Sequence, residues 1–114
     1  MRPTVRIQEK ILIEAELVAP ASVTGTHIDL KEVIGFSVQC ISTEDVAAVQ
    51  GSFKLEVSNN ETSWETLPDS EFTLTGNDSI VVEYKWPFFK FVRPAVTLTS
   101  GTATVVSNFY GKCL

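Results

Sequence analysis

Little in this 114-residue chain carries the side chains that make or break covalent bonds. There is one histidine, His27, and so at most one imidazole base. The two cysteines, Cys40 and Cys113, form no Cys-x-x-Cys pair and lack companion histidines at ligand spacing, so no metal centre is expected. No nucleophile elbow, Walker loop or dinucleotide fingerprint occurs. The chain has 14 acids, and glycoside hydrolysis needs only two that face each other. A β domain of this length, however, has little volume for a deep cleft beside its core. The chain is read as non-enzymatic and without a cofactor. Cys40 falls in an alternating strand, where a small buried thiol is ordinary, and Cys113 sits beside the C-terminus. Their positions leave a bond between them open.

The aromatic residues are the next source of chemistry. Trp64, Trp86, Phe88, Phe89 and Phe91 could fill a core, cover a protein contact or stack on sugar rings. Trp86-Pro87-Phe88-Phe89 is denser in aromatics than one sheet face needs. Trp86 and Phe88 are therefore the candidates for partner contact, joined by Arg2 and Arg6 near the N-terminus.

Charge narrows the partners. The net charge is −5, and no Lys/Arg cluster exists to release counterions from a phosphate backbone, so direct nucleic-acid binding is not expected. The distribution is uneven. Residues 44–83 hold nine acids and one base, whereas residues 84–114 hold four bases and no acid. Such a split describes either two solvated faces or head-to-tail association between copies. The apolar run after the N-terminus is broken by Glu14 and Glu16, and no stretch approaches about 18 consecutive apolar residues. Neither a signal peptide nor a membrane span is read, and synthesis in a cytosol is expected.

The elements that must position these residues are strands. Fourteen Val, twelve Thr and seven Ile give a β-branched chain. Period-two alternation runs through Ile11–Val18 (apolar set Ile11, Ile13, Ala15, Leu17), Ile34–Cys40, Phe53–Val57, Phe72–Leu74, Ile80–Tyr84, Phe88–Thr99 and Thr102–Phe109. Turn residues separate the runs, with Thr99-Ser100-Gly101-Thr102 read as a tight hairpin. Residues 43–49 are the one helix-like piece, with Thr43 as cap. Pro94 lacks the donor a ladder needs, so its strand is expected at an edge or bulged. These signals predict an all-β fold, an antiparallel β-sandwich (jelly-roll or discoidin-like) of seven to eight strands. The domain is placed at 11–114, after an arm at 1–10 that is expected to be flexible or to reach an acidic neighbour.

The segment from Phe53 to Pro68, with Ser58-Asn59-Asn60 followed by Trp64, resembles the strand–loop–strand of discoidin-like sandwiches and of small phage virion-associated proteins. Phe89-Lys90-Phe91-Val92-Arg93 and Ser100–Val105 extend the resemblance over about residues 50–112. The departure lies at Asn60-Glu61, where the pattern prefers Asp-Gly, so Asn59 or Asn60 is expected to take the positive φ. The resemblance implies that Ser58 and Asn59 turn the chain, that Trp64 closes the end of the sandwich, and that Arg93 bonds carbonyls or an acid nearby. It also implies a structural virion protein, capsid-decorating or head–tail connecting, working through contacts with itself and with other virion proteins. The alternative is a glycan-binding module of a phage tail or a bacterial surface machine.

Overall fold

A computed structural model describes residues 5–114, the side chain of Ala47 excepted. It contains eight strands: β1 (Arg6–Val18), β2 (Ala21–Thr24), β3 (Ile28–Asp29), β4 (Val33–Ser58), β5 (Glu65–Thr66), β6 (Phe72–Leu74), β7 (Asp78–Lys85) and β8 (Phe91–Cys113). All pairings are antiparallel. The all-β class and the strand number match the expectation, but the strands form a single hydrogen-bonded sheet. Two long strands, β4 and β8, run side by side through its middle. β1, β2 and β3 line the far side of β8, and β7, β6 and β5 line the far side of β4.

The sheet folds over on itself. At about 3.3 Å per residue the 23 residues of β8 would span roughly 75 Å, yet the longest dimension of the molecule is 55 Å. The bend lies where both flanks take a short cut. Leu74 of β6 pairs with Gly51, and Asp78 of β7 pairs with Ser42, so a three-residue link spans what β4 covers in eight residues. On the other flank Val18 pairs with Thr102 and Ala21 with Leu98. Beyond the bend the two halves meet: Thr26 N–H donates to Leu12 O at 3.1 Å. The enclosed space holds one core, with Val38, Cys40, Val105 and Phe109 from one half and Phe53, Leu55, Val96 and Leu98 from the other.

Several expectations are corrected at this bend. Residues 43–49 are strand, not helix, because β8 offers a ladder partner at Thr102–Thr104. Thr99–Thr102 is not a hairpin. Gly101 takes φ +80°, the chain swings, and β4 swings with it, so the ladder continues. Ser100 Oγ donates to Ala48 O at 2.6 Å and Thr99 Oγ1 to Gln50 O at 3.1 Å, which fastens the corner. Buried positions change parity across it, from even to odd along β4 and likewise along β8.

Three further corrections are local. Residues 6–10 pair with Phe109–Cys113, so this part of the expected arm is strand. A bulge between Ile11 and Ile13 buries both Leu12 and Ile13 and turns Ile11 outward, out of the apolar set it was assigned to. Pro94 lies in a central strand. Its partner Leu55 points its N–H at Ser70 Oγ and receives Leu67 N–H on its carbonyl, both away from β8. The Pro94 nitrogen therefore faces the β2–β3 flank at the gap between those strands, where no ladder bond is missed.

Candidate functional site

The β7–β8 connection, residues 86–90, carries the two most exposed aromatics, Trp86 and Phe88. Trp86 sits at φ +54°, a costly backbone for a bulky residue, and its N–H donates to Ile34 O at 2.8 Å. Its side of the connection is thus fixed to the start of β4. The other end is fixed twice: Lys90 N–H donates to Asn59 Oδ1 at 2.9 Å, and Lys90 O accepts Leu30 N–H at 2.8 Å. Phe89 turns inward onto Tyr84, with ring centroids 5.2 Å apart. Tyr84 stacks on Phe36, which stacks on Phe109. Trp86 and Phe88 are left outside, 65% and 96% exposed. The tip is therefore a braced loop that presents two large rings to water.

Beside it lies a shallow groove of about 340 Å³. Gly35 forms part of the floor, Trp86 and Tyr110 lie along the walls, and Lys85, Lys112 and Glu83 stand on the rim. Gly35 is not required by the backbone. A Cβ there would find only Tyr84 O at 3.6 Å and Lys85 Cα at 4.0 Å, which is ordinary van der Waals contact. The groove escapes sequence reasoning because nothing marks Gly35 apart from other strand residues. Its aromatic wall was legible in the excess of rings at 86–89.

The loop after β4 is self-contained. Ser58 Oγ donates to Asn60 Oδ1 at 3.0 Å and accepts the N–H groups of Asn60 and Glu61 at 3.1 and 3.0 Å. Asn60 Oδ1 accepts from Thr62 and Ser63 N–H. The positive φ falls on Glu61 (+65°), not on Asn59 or Asn60. With the asparagine side chains used as acceptors, the next residue makes the turn. Trp64 is half-buried and donates from Nε1 to Glu61 O at 3.2 Å. The Arg93 guanidinium lies 4.0 Å from its ring centroid, and Arg93 Nε donates to Glu56 Oε1 at 2.9 Å. His27 completes the cluster, with Nε2 3.0 Å from Glu61 Oε2 and its ring 5.5 Å from that of Phe91. Ser58, Asn59 and Trp64 thus lie at or just after the end of β4, and Arg93 reaches Trp64 from β8.

Arg6 is engaged within the chain. It pairs with Glu32 and donates to Leu114 O at 3.1 Å, tying β1 to the C-terminus. Arg2 lies outside the described residues. Cys40 and Cys113 are free and buried. Cys40 pairs in register with Ser107 and Cys113 with Val33, about six strand residues or roughly 20 Å apart, too far for a bond. Burial, with a smaller push from the Asp78 charge, raises the Cys40 thiol to about 12. Among the described residues no group of three or more His, Cys, Asp or Glu is placed to hold a metal ion.

The architecture defines a small all-β fold built on one curled antiparallel sheet. It is similar to the crystal structure of the SPBc2 prophage-derived protein YomS, with a TM-score of 0.62, 8% identity and coverage of 96% of this chain and 97% of that one. It is also similar to a chain in the structure of infectious bursal disease virus Gx strain, with a TM-score of 0.60 and 6% identity. That match covers 97% of this chain and 32% of the viral one, so the chain spans about a third of that neighbour. No protein-family model and no curated protein matches the sequence. At such identities the likeness is one of fold, and it does not bear on the discoidin-like motif.

Proposed function

We propose that this protein is a non-enzymatic structural component of a phage particle, capsid-decorating or head–tail connecting, that works by binding copies of itself and other virion proteins. The observation that carries the reading is the braced tip with Trp86 and Phe88 exposed. Trp86 is held outside at a backbone cost and Phe88 is almost wholly exposed, and residues of this kind anchor protein contacts. The fold shared with a prophage-derived protein and with a chain of a virus supports the setting. The sole histidine, His27, pairs with Glu61. The test is mass spectrometry of purified particles from cells that express the chain. The expected result is a fixed stoichiometry in the particle fraction that is lost in the Trp86→Ala, Phe88→Ala double variant. Recovery only in the particle-free fraction would overturn the reading.

The groove over Gly35 favours a second reading, a glycan module. An aromatic wall with lysines and a glutamate at the rim suits a sugar ring. That reading expects saturable quenching of Trp86 fluorescence by a saccharide, abolished by Gly35→Val.

A further inference from the structure

The half of the sheet made by β1, β7, the first part of β4 and the last part of β8 has an unusual outer face. Register places the outward residues in rows. Ile7, Lys112, Gly35 and Lys85 form the first row, next to the 86–90 tip, and Val18, Thr102 and Val46 form the last, at the bend. The ten residue steps of β8 from Lys112 to Thr102 span roughly 33 Å. Val18 and Val46 flank Thr102 and are 62% and 64% exposed, more than any other aliphatic residue described. Glu16 and Thr43 flank Thr104 in the row before, and the Asp45 carboxylate accepts from Thr104 Oγ1 at 2.8 Å. One end of the face is therefore aliphatic and acidic. The opposite end is aromatic, with Trp86 and Phe88, and sets Lys85, Lys90 and Lys112 against Glu9 and Glu83 of the neighbouring row, which leaves it with an excess of base.

We propose that these two ends bind each other between copies, with the basic aromatic tip of one chain seated on the Val18–Val46 end of the next, in a repeating head-to-tail contact. The inference rests on the reading of the protein as one that acts through protein contacts, and it names the partner surface. The occupant is a second copy because both halves of the match, apolar with apolar and base with acid, are present on one chain. They cannot meet within it, being at opposite ends of the same strands. A two-fold dimer tip to tip would set lysines against lysines, whereas tip on tail opposes unlike charge. Such a heterologous contact propagates into a ring or a row.

Light scattering on the full chain after size separation tests this. The wild-type chain is expected to form species at multiples of 12.5 kDa beyond the dimer as concentration rises. The tail variant Glu16→Lys, Val46→Lys and the head variant Lys85→Glu, Lys90→Glu should each weaken association by about tenfold or more. Mixing the two variants should restore it, since each then offers what the other lacks. All four positions are exposed, and circular dichroism melts check that the fold is kept. A wild-type oligomer indifferent to both variants would overturn the head-to-tail site while leaving self-contact standing. A wild-type chain that stays monomeric at several hundred micromolar would overturn self-association altogether. Saccharide binding by a strictly monomeric chain would do the same in favour of the glycan reading.

Discussion

The two halves of the folded sheet share one core but differ in what they show to water. Around Ser52 and Arg93 the outer face reads Ser22, Thr97, Ser52 and Thr73 in one row and Arg93, Glu56 and Thr66 in another. It satisfies itself: Arg93 bonds Glu56, and the Ser22 and Thr97 hydroxyls lie 3.3 Å apart. The opposite outer face carries Ile7, Ile11, Val18, Val46, Val81 and Tyr110, all exposed. An antiparallel sheet with one wet face is expected to alternate apolar inward and polar outward. One half obeys and the other does not. The difference separates a surface shaped for solvent from one shaped for a partner, and it can be probed residue by residue.

The largest contrast lies between neighbours on β8. Phe109 points into the core, stacked on Phe36, whereas Tyr110 points out. Phe109→Ala should cost about 3–5 kcal/mol, a large part of the roughly 5–15 kcal/mol that holds a domain of this size. Tyr110→Ala should change stability by no more than about 0.5 kcal/mol. Urea unfolding measures both. Equal losses would mean that Tyr110 is core and that the apolar outer face is misassigned.

Two glycines give the next step down. A Cβ at Gly25 would lie 2.6 Å from Pro94 Cγ, 2.8 Å from Leu12 O and 2.9 Å from Ile13 Cγ1, at the place where the halves of the sheet meet. Gly25→Ala should cost about 1–3 kcal/mol by forcing them apart. Gly35→Ala, over the open groove, should be neutral or stabilising by up to about 1 kcal/mol, because glycine weakens a strand interior. The pair of thermal melts distinguishes a glycine that the fold needs from one that only keeps a groove open.

The cysteines extend the comparison to the inside. Cys40 sits mid-strand with its thiol raised to about 12 from the ordinary value of 9.0, whereas Cys113 is at a strand end with Gln8 Oε1 at 3.7 Å. Alkylation of the native protein should label Cys113 first and Cys40 only on unfolding. Above pH 9 the unfolded chain releases the Cys40 proton and the folded chain keeps it until about pH 12. This contribution is whole below pH 9 and is lost as pH rises through that window. Cys40→Ala should therefore flatten the alkaline fall in stability relative to wild type.

How far the sequence reached follows from the same physics. Alternation located nearly every strand, because each buries one face. It could not locate the slips at Leu12, at residues 43–50 and at Gly101, since the period is intact on both sides of a one-residue shift and only the burial pattern reveals the change. Thr43-Glu44-Asp45 reads as a helix start, and a non-local partner in β8 overrode it. Trp86 and Phe88 were legible as an excess of rings, whereas the contacts of Arg6 with Glu32 and Leu114 were not, because these residues reach it only through tertiary folding.

The smallest expected change in stability bears most directly on function. Val18→Thr with Val46→Thr removes two of the exposed aliphatic side chains while keeping β-branched residues on the strands. Unfolding free energy should move by less than about 0.5 kcal/mol, since neither side chain touches the core. If these valines exist only to hold the fold, stability must fall further than that. If they exist for a partner, association weakens while the melting temperature stays put. The mirror experiment, Ser52→Val with Thr97→Val, installs the missing valines on the polar half. There Glu56 is already paired with Arg93 and Lys54, so any self-association they produce should respond less to salt. Association through Val18 and Val46 should weaken as salt screens the lysines of the tip. A weak salt response on one face and a strong one on the other would assign the contact to charge and apolar surface acting together, at one end of one half of the sheet.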